Sequence, residues 1–313
     1  MMPPGLEAFA PAPDAYLLLL GVLVLDALLP ARFRPRGAAA RPFRLFVRAV
    51  AELERRLNRP GRSRGKRLVR GAAVVVLVLA GAGGIGWAID EVAAAVPYGW
   101  VLLALALAAA LSLRRPGEDV AATSRGLANG LAKGRDAAAR FLGSGAATLD
   151  DAGLARASAA YLAARFADGL VAAVFWFVML GLPGLFAYRA ANVAGRLLPD
   201  DAERFAEFGL TASRLNAVLL AIPALLGGGL LVAAALFAPG RGVAGAMKGL
   251  RRRSDDVRPA VLRWPAGAFA GAIGIIDARP AAGHLARAVY LYGVGCLLVF
   301  AAITGLALLR FVS

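Results

Sequence analysis

The chain has 313 residues, 59 % of them hydrophobic, a mean hydropathy of +0.66 and a net charge of +16. Soluble domains hold roughly 45–50 % apolar residues, so these values exclude a soluble globular protein and indicate a polytopic membrane protein. A single cysteine, Cys296, and a single histidine, His284, exclude a disulfide framework and a His/Cys zinc centre.

Apolar runs lie at Ala15–Leu29, Gly71–Ile89, Tyr98–Leu113, Gly169–Phe186, Ala217–Phe237 and Val289–Leu309. A bilayer core about 30 Å thick takes around 20 apolar residues as a helix. The second, fifth and sixth runs meet that length, the first and third are short at their borders, and the fourth ends in Gly181-Leu-Pro-Gly184. The expected fold is all-α, a single membrane domain over 1–313 with four to six transmembrane helices. Its N-terminal spans cover 15–113, an amphipathic helical cytoplasmic segment covers 114–168, and C-terminal spans cover 169–313. Met1 to Asp14 holds no Lys or Arg, unlike the basic start of a secretory signal, so the first run reads as a retained helix.

The charge is localised. Arg32–Arg70 holds fourteen Arg or Lys against Glu52 and Glu54. Beside a membrane span such a block sets topology and meets anionic headgroups. The basic loop 31–70 is therefore expected on the cytoplasmic face of the inner (plasma) membrane, in contact with lipid. No nucleic-acid signature accompanies the charge. With the loop inside, Gly71–Ile89 crosses outward to Asp90 and Glu91, and Tyr98–Leu113 returns to Arg114 and Arg115.

Glu118–Asp168 reads as two or three amphipathic helices, broken at Gly143-Ser-Gly145 and Asp150-Asp-Ala-Gly153. Sparse Leu127, Leu131, Leu142, Leu149 and Leu154 predict packing on each other or on the membrane, without a large core. The charges of Tyr188–Asn216 balance, so the positive-inside rule does not orient it. Trp264–Ile276 is apolar but too short to span, and reads as re-entrant or interfacial.

Gly81-Ala-Gly83-Gly84-Ile-Gly86 matches a dinucleotide fingerprint, but that loop works only between a strand and a helix. Inside an apolar span the glycines instead allow close helix packing, as do Gly227-Gly-Gly229 and Gly267-x-x-x-Gly271. No haem or nicotinamide site is expected. Asp168 and Asp200-Asp-Ala-Glu203 have the plain reading of helix N-termini. Arg189, Asn192, Arg214 and Asn216 flank spans, where anchoring is the default for arginine.

One ungapped block, Gly181 to Leu225, carries a Gly-Leu-Pro-Gly turn, Ala187-Tyr-Arg-Ala-Ala-Asn192, Phe208-Gly209, Ala212-Ser-Arg-Leu215 and Ile222-Pro-Ala224. With Trp264-Pro265 it resembles the CobD/CbiB family of cobalamin-biosynthesis membrane proteins. The resemblance implies a synthase joining adenosylcobyric acid to aminopropanol or its phosphate by amide formation. It also implies ATP and Mg²⁺ as cofactors, a corrinoid substrate, and other corrinoid-pathway enzymes as partners. Asp168 and Arg214 are the implied catalytic residues, and Arg189, Asn192, Asn216 and Trp264 the implied substrate-binding ones.

Departures from the family pattern run one way. The family's His-Pro-Val reads Arg41-Pro42-Phe43, its Glu-Asn-x-x-Asp-Gly keeps only Asp168-Gly169, and its Asp-Asp pair reads Asn216-Ala217. Shape-giving Gly, Pro and Trp stay while acids and amides are replaced. Asp168, Glu207, Asp255 and Asp256 are the acids left for the chemistry. The alternative is a catalytically degenerate paralogue serving as an AmpE-like scaffold or sensor.

Overall fold

The computed structural model describes residues 13–28, 41–59, 63–111, 113–199, 205–239, 241–252, 259–276 and 282–312, all without a strand. Five helical stretches are long and apolar enough to cross a membrane: Arg64–Ala95, Trp100–Ala128, Asp151–Leu197, Leu210–Ala234 and Gly283–Arg310. The protein is an all-α, multi-pass membrane protein. It forms two compact units, each drawn from distant parts of the chain.

The first unit takes Met1–Leu111, Ala173–Leu219 and Leu306–Ser313. Helix α1 (Pro13–Leu28) packs on α4 (Trp100–Ala110), and α2 (Arg41–Leu57) on the long α3 (Arg64–Ala95). The apolar part of α3, Gly71 to Ile89, rises about 28 Å at 1.5 Å per residue, which matches the bilayer core. Trp87 stands exposed near its far end, and Tyr98 and Trp100 beyond it. Amphipathic rings of this kind settle at the membrane–water boundary. Arg64, Lys66, Arg67 and Arg70 mark the other end.

Helix α8 (Ala172–Leu197) is two helices in one. Leu180 (φ −138°, ψ 16°) and Gly181 (φ 63°, ψ −154°) leave helical geometry, the second in a region that only glycine occupies cheaply. Pro183 follows, two residues into the new segment, where its missing N–H is harmless. The Gly-Leu-Pro-Gly signal is therefore a mid-helix break. The later segment runs antiparallel to α3: a Cβ on Gly86 would meet Leu182 and Pro183 backbone at 2.7–2.8 Å, and Gly83 lies opposite Pro183 and Ala187. Gly83 and Gly86 thus do what small residues do between membrane helices, while Gly81 and Gly84 face open space.

The second unit takes Ser112–Ala172 and Leu220–Gly305. Here α5 (Arg114–Ala128), α6 (Leu131–Leu142) and α7 (Asp151–Ala164) fold on one another. The turns fall at Gly130 (φ 113°), Gly143 (φ 63°) and Asp150, whose carboxylate caps α7 by accepting from Gly153 N at 2.7 Å. Leu127, Leu131, Phe141, Leu142 and Leu149 close over Ala138, Ala146 and Leu154. All five leucines expected to pack together do so, in a core of modest size.

Helices α10 (Gly242–Arg252) and α11 (Arg263–Ala272) form an antiparallel pair. A Cβ on Gly249 would lie 1.9 Å from Gly267 O, and one on Gly271 would lie 2.0 Å from Gly245 O. Only paired glycines allow that approach. The short apolar stretch at Trp264 is mostly buried in this pair and against α7. Helix α12 (Ala282–Val312) carries Cys296 and His284, and its Tyr292 donates to Leu113 O at 2.6 Å.

Candidate functional site

In the first unit the later part of α8 and the start of α9 (Leu210–Ala234), as far as Leu219, form an antiparallel hairpin. Gly209 and Ser213 abut Leu198, with Ser213 Oγ donating to Leu198 O at 3.4 Å. Deeper in, Asn192 Nδ2 donates to Asn216 Oδ1 at 3.4 Å, and both residues are at most 4 % exposed. Asn216 fits because Gly195 has no side chain: a Cβ there would sit 2.8 Å from Asn216 Cβ. Burying a polar amide costs about 1–3 kcal/mol unless it is bonded. The two amides meet that cost by pairing across the helices, as polar side chains do between membrane helices.

Arg189 lies three residues before Asn192, hence on the same face of α8, and is half-buried. Arg214 differs. It is exposed and two residues from Asn216, which puts it about 200° around the helix from that amide. The structure therefore gathers Asn192, Asn216 and the Arg189 face, and leaves Arg214 on the outer side of α9.

Where α3 begins, a chain of polar contacts holds the turn that leads into α9. Asn58 Nδ2 donates to Glu54 Oε1 at 2.9 Å, and Arg67 Nε donates to Asn58 Oδ1 at 3.1 Å. Arg67 also pairs with Glu207 at 3.0 Å, and Arg64 with Glu207 at 3.3 Å. Glu54 is 5 % exposed, whereas Glu52, two residues earlier, faces water between Arg55 and Arg56. The hydrogen bond from Arg56 and the nearby charge of Arg55 hold the Glu52 carboxyl below the usual carboxylate range. Sequence reasoning passed over Glu54, Asn58 and Arg67. The available signal was an acid and an amide four residues apart at the end of an amphipathic helix.

Asp168 and Trp264 belong to the second unit. Asp168 is not a helix N-cap: the helix runs straight through it as a π-turn, Arg165–Val171, in the stretch Asp151–Leu197. It is 3 % exposed, with Arg165 NH1 at 3.8 Å. Arg165 lies over the Tyr161 ring at 5.4 Å, a cation–π contact. Gly227 of α9 packs on Ala167 and Gly295 of α12 on the Phe166 ring, both in the first half of this turn. π-Turns recur at functional sites, and an ionisable group inside a membrane helix is a functional candidate by default. Trp264 is half-buried at the start of α11.

Among the described residues no three His, Cys, Asp or Glu side chains gather as a metal site. The acids expected to serve Mg²⁺ lie beside arginines instead: Asp168 by Arg165, Glu207 by Arg67 and Arg64. Asp200, Asp201, Glu203, Asp255 and Asp256 lie outside the described residues.

A model of the family described as CobD/Cbib protein matches residues 18–279. The chain belongs to the CobD/CbiB family. It is 31 % identical over 272 residues to the cobalamin biosynthesis protein CobD of Sinorhizobium fredii, covering 85 % of this chain and 82 % of that protein. The protein of the same name from Rhizobium meliloti is 30 % identical over 270 residues, with coverage of 85 % and 83 %. That of Rhodobacter capsulatus is 33 % identical over 238 residues, covering 75 % and 72 %. No solved structure matches. The match spans both units, so it includes the amide pair, Asp168 and Trp264.

Proposed function

We propose that this cobalamin-biosynthesis membrane protein is a synthase that joins the carboxylate of adenosylcobyric acid to aminopropanol or its phosphate. The observation that carries the reading is the buried Asn192–Asn216 pair with Arg189 on the same face of α8. Amides and a guanidinium are the donors that hold a carboxylate or phosphate in a fixed pose. Asn192, Asn216 and Arg189 are assigned to substrate binding, and Trp264 to a substrate contact. Asp168, buried in its π-turn, is assigned the proton. Arg214 is assigned anchoring at the membrane boundary, as its exposure fits that role.

In the reaction the amine nitrogen attacks the activated carboxyl carbon. The C–N bond forms as the bond to the activated oxygen breaks, and the nitrogen gives up a proton to a base. Activation by ATP is part of the proposal, with Mg²⁺ arriving on the nucleotide phosphates. The described residues form no metal site, so no step is assigned to the ion.

The 205–209 turn packs against the start of α3, since a Cβ on Gly71 would meet Phe208 O at 2.0 Å. The connecting end of the α8–α9 hairpin therefore lies at the arginine-rich end of α3. With that end cytoplasmic, as its charge implies, the amide pair is reached from the cytoplasm of an inner membrane protein whose basic loop meets anionic lipid. The relatives named for cobalamin biosynthesis favour this reading over the scaffold one.

Complementation tests it. A cell lacking its own family member and fed adenosylcobyric acid should make cobinamide when it expresses this chain, and not when it expresses Asn216→Leu. Membrane-inserted, folded wild-type protein with no cobinamide would overturn the synthase reading.

A further inference from the structure

We infer that Glu54, Asn58, Arg67 and Glu207 form a positioning chain that sets the seat of the α8–α9 hairpin on α3, and through it the Asn192–Asn216 pair. The inference rests on the synthase reading for its functional consequence, but its structural claim is independent.

The chain of contacts alternates acceptor and donor from α2 to the turn before α9. Glu54 accepts from Asn58, Asn58 accepts from Arg67, and Arg67 reaches Glu207. Glu54 and Asn58 stand at the end of α2, Arg67 in α3 and Glu207 in the turn before α9, and Arg64 adds a second ion pair to Glu207 at 3.3 Å. The 205–209 turn lies on Gly71, where no side chain of α3 intervenes. A bare glycine contact permits sliding; the ion pair of Arg67 with the Glu207 carboxylate at 3.0 Å opposes it. Arg67 is in turn fixed by Asn58, so the register is passed back to α2.

Electrostatics supports the arrangement. The first turn of α3 carries Arg64 and Arg67 and no acid, and Ser63 makes no side-chain cap. Cations at a helix N-terminus oppose its dipole. Glu207 supplies the missing negative charge from outside the helix. Nine residues on, α9 presents Asn216, with only the end of the turn and the first helical residues from Leu210 between them. A shift of the turn is therefore delivered to the amide with little loss. Displacement of about 1 Å at a site is worth on the order of a hundredfold in rate.

The test uses full-length protein in nanodiscs: Glu207→Gln, Arg67→Gln, the double variant, and Glu207→Asp with wild type. Two readouts are taken. Hydrogen exchange over 210–219 reports the seat of the hairpin, whatever the chemistry. The KM for adenosylcobyric acid and kcat, normalised to folded protein, report the amide pair. The expected result is about tenfold faster exchange in both single variants, no further gain in the double, and a raised KM. Glu207→Asp, which keeps the charge, should recover part of the KM.

Unchanged exchange over 210–219 overturns the inference. Faster exchange with wild-type KM and kcat overturns it as well, because the contacts would then be structural only. A wild-type protein that forms no amide overturns the synthase reading instead, and the exchange data alone then decide the seat.

Discussion

Two alanine substitutions on the same helix should have opposite signs. On α3, Gly71 has Phe208 O 2.0 Å from where a Cβ would stand, and Phe208 C at 2.8 Å. Gly84, thirteen residues on, has nothing within 4 Å. An ordinary carbon–oxygen contact is about 3.3 Å, so Gly71→Ala must push the turn away by about 1.3 Å. The obstacle is backbone, so no side chain can swing aside. Such overpacking costs about 1–3 kcal/mol, against roughly 0.5–1 kcal/mol gained by replacing a helical glycine. The steric cost wins at Gly71, leaving a net loss of about 1–2 kcal/mol. At Gly84 only the gain remains. At about 2–4 °C per kcal/mol for a chain of this size class, Gly71→Ala should melt several degrees lower in detergent and Gly84→Ala slightly higher. The 3.0 Å Arg67–Glu207 contact should open with the same shift. A Gly71→Ala protein as stable as wild type would refute the close seating of the turn on α3, as would equal losses at both positions.

Gly195→Ala should lower cobinamide formation on the order of a hundredfold while leaving the melting temperature within a few degrees, because the new methyl lands 2.8 Å from Asn216 Cβ and displaces the amide. Tyr292→Phe should do the reverse. Losing the 2.6 Å bond to Leu113 O removes one buried hydrogen bond, worth about 0.5–1.5 kcal/mol, read by thermal unfolding, with catalysis per folded molecule unchanged. Asp168→Asn, which keeps the shape of the side chain, should abolish product, whereas Arg214→Ala should leave kcat within about threefold, the range of a surface change.

Much of the fold was legible because its signals are local. Hydropathy placed the long spans, and Gly143 and Asp150 ended helices where glycine and an N-cap acid should. The glycine runs were packing surfaces only in part: Gly83, Gly86, Gly227 and Gly271 meet neighbouring segments, while Gly81, Gly84 and Gly229 face open space. Asp168 was harder to place: Asp-Gly before an apolar run has the same spelling whether it caps a helix or sits in a π-turn, and only the continuity of Asp151–Leu197 decides. The charge of Tyr188–Asn216 sums to balance and carries no orientation; that the turn before α9 lies against the arginine-rich start of α3 is read from Gly71 against Phe208, a contact across 137 positions of sequence. Arg214 and Asn216 looked like one cluster in the sequence, yet two residues on a helix point to different sides. Glu54 and Asn58 escaped notice because burial, not residue type, separates Glu54 from the exposed Glu52.

The account turns on amide formation, and one assay addresses it directly. The purified chain in nanodiscs is given adenosylcobyric acid, ATP, Mg²⁺ and ¹⁵N-labelled aminopropanol or its phosphate, and the corrinoid is analysed by mass spectrometry. The account predicts a corrinoid carrying the label in a new amide, formed by wild type and lost in Asp168→Asn. A folded protein that binds the corrinoid yet leaves it unlabelled under every combination of these reactants would contradict it.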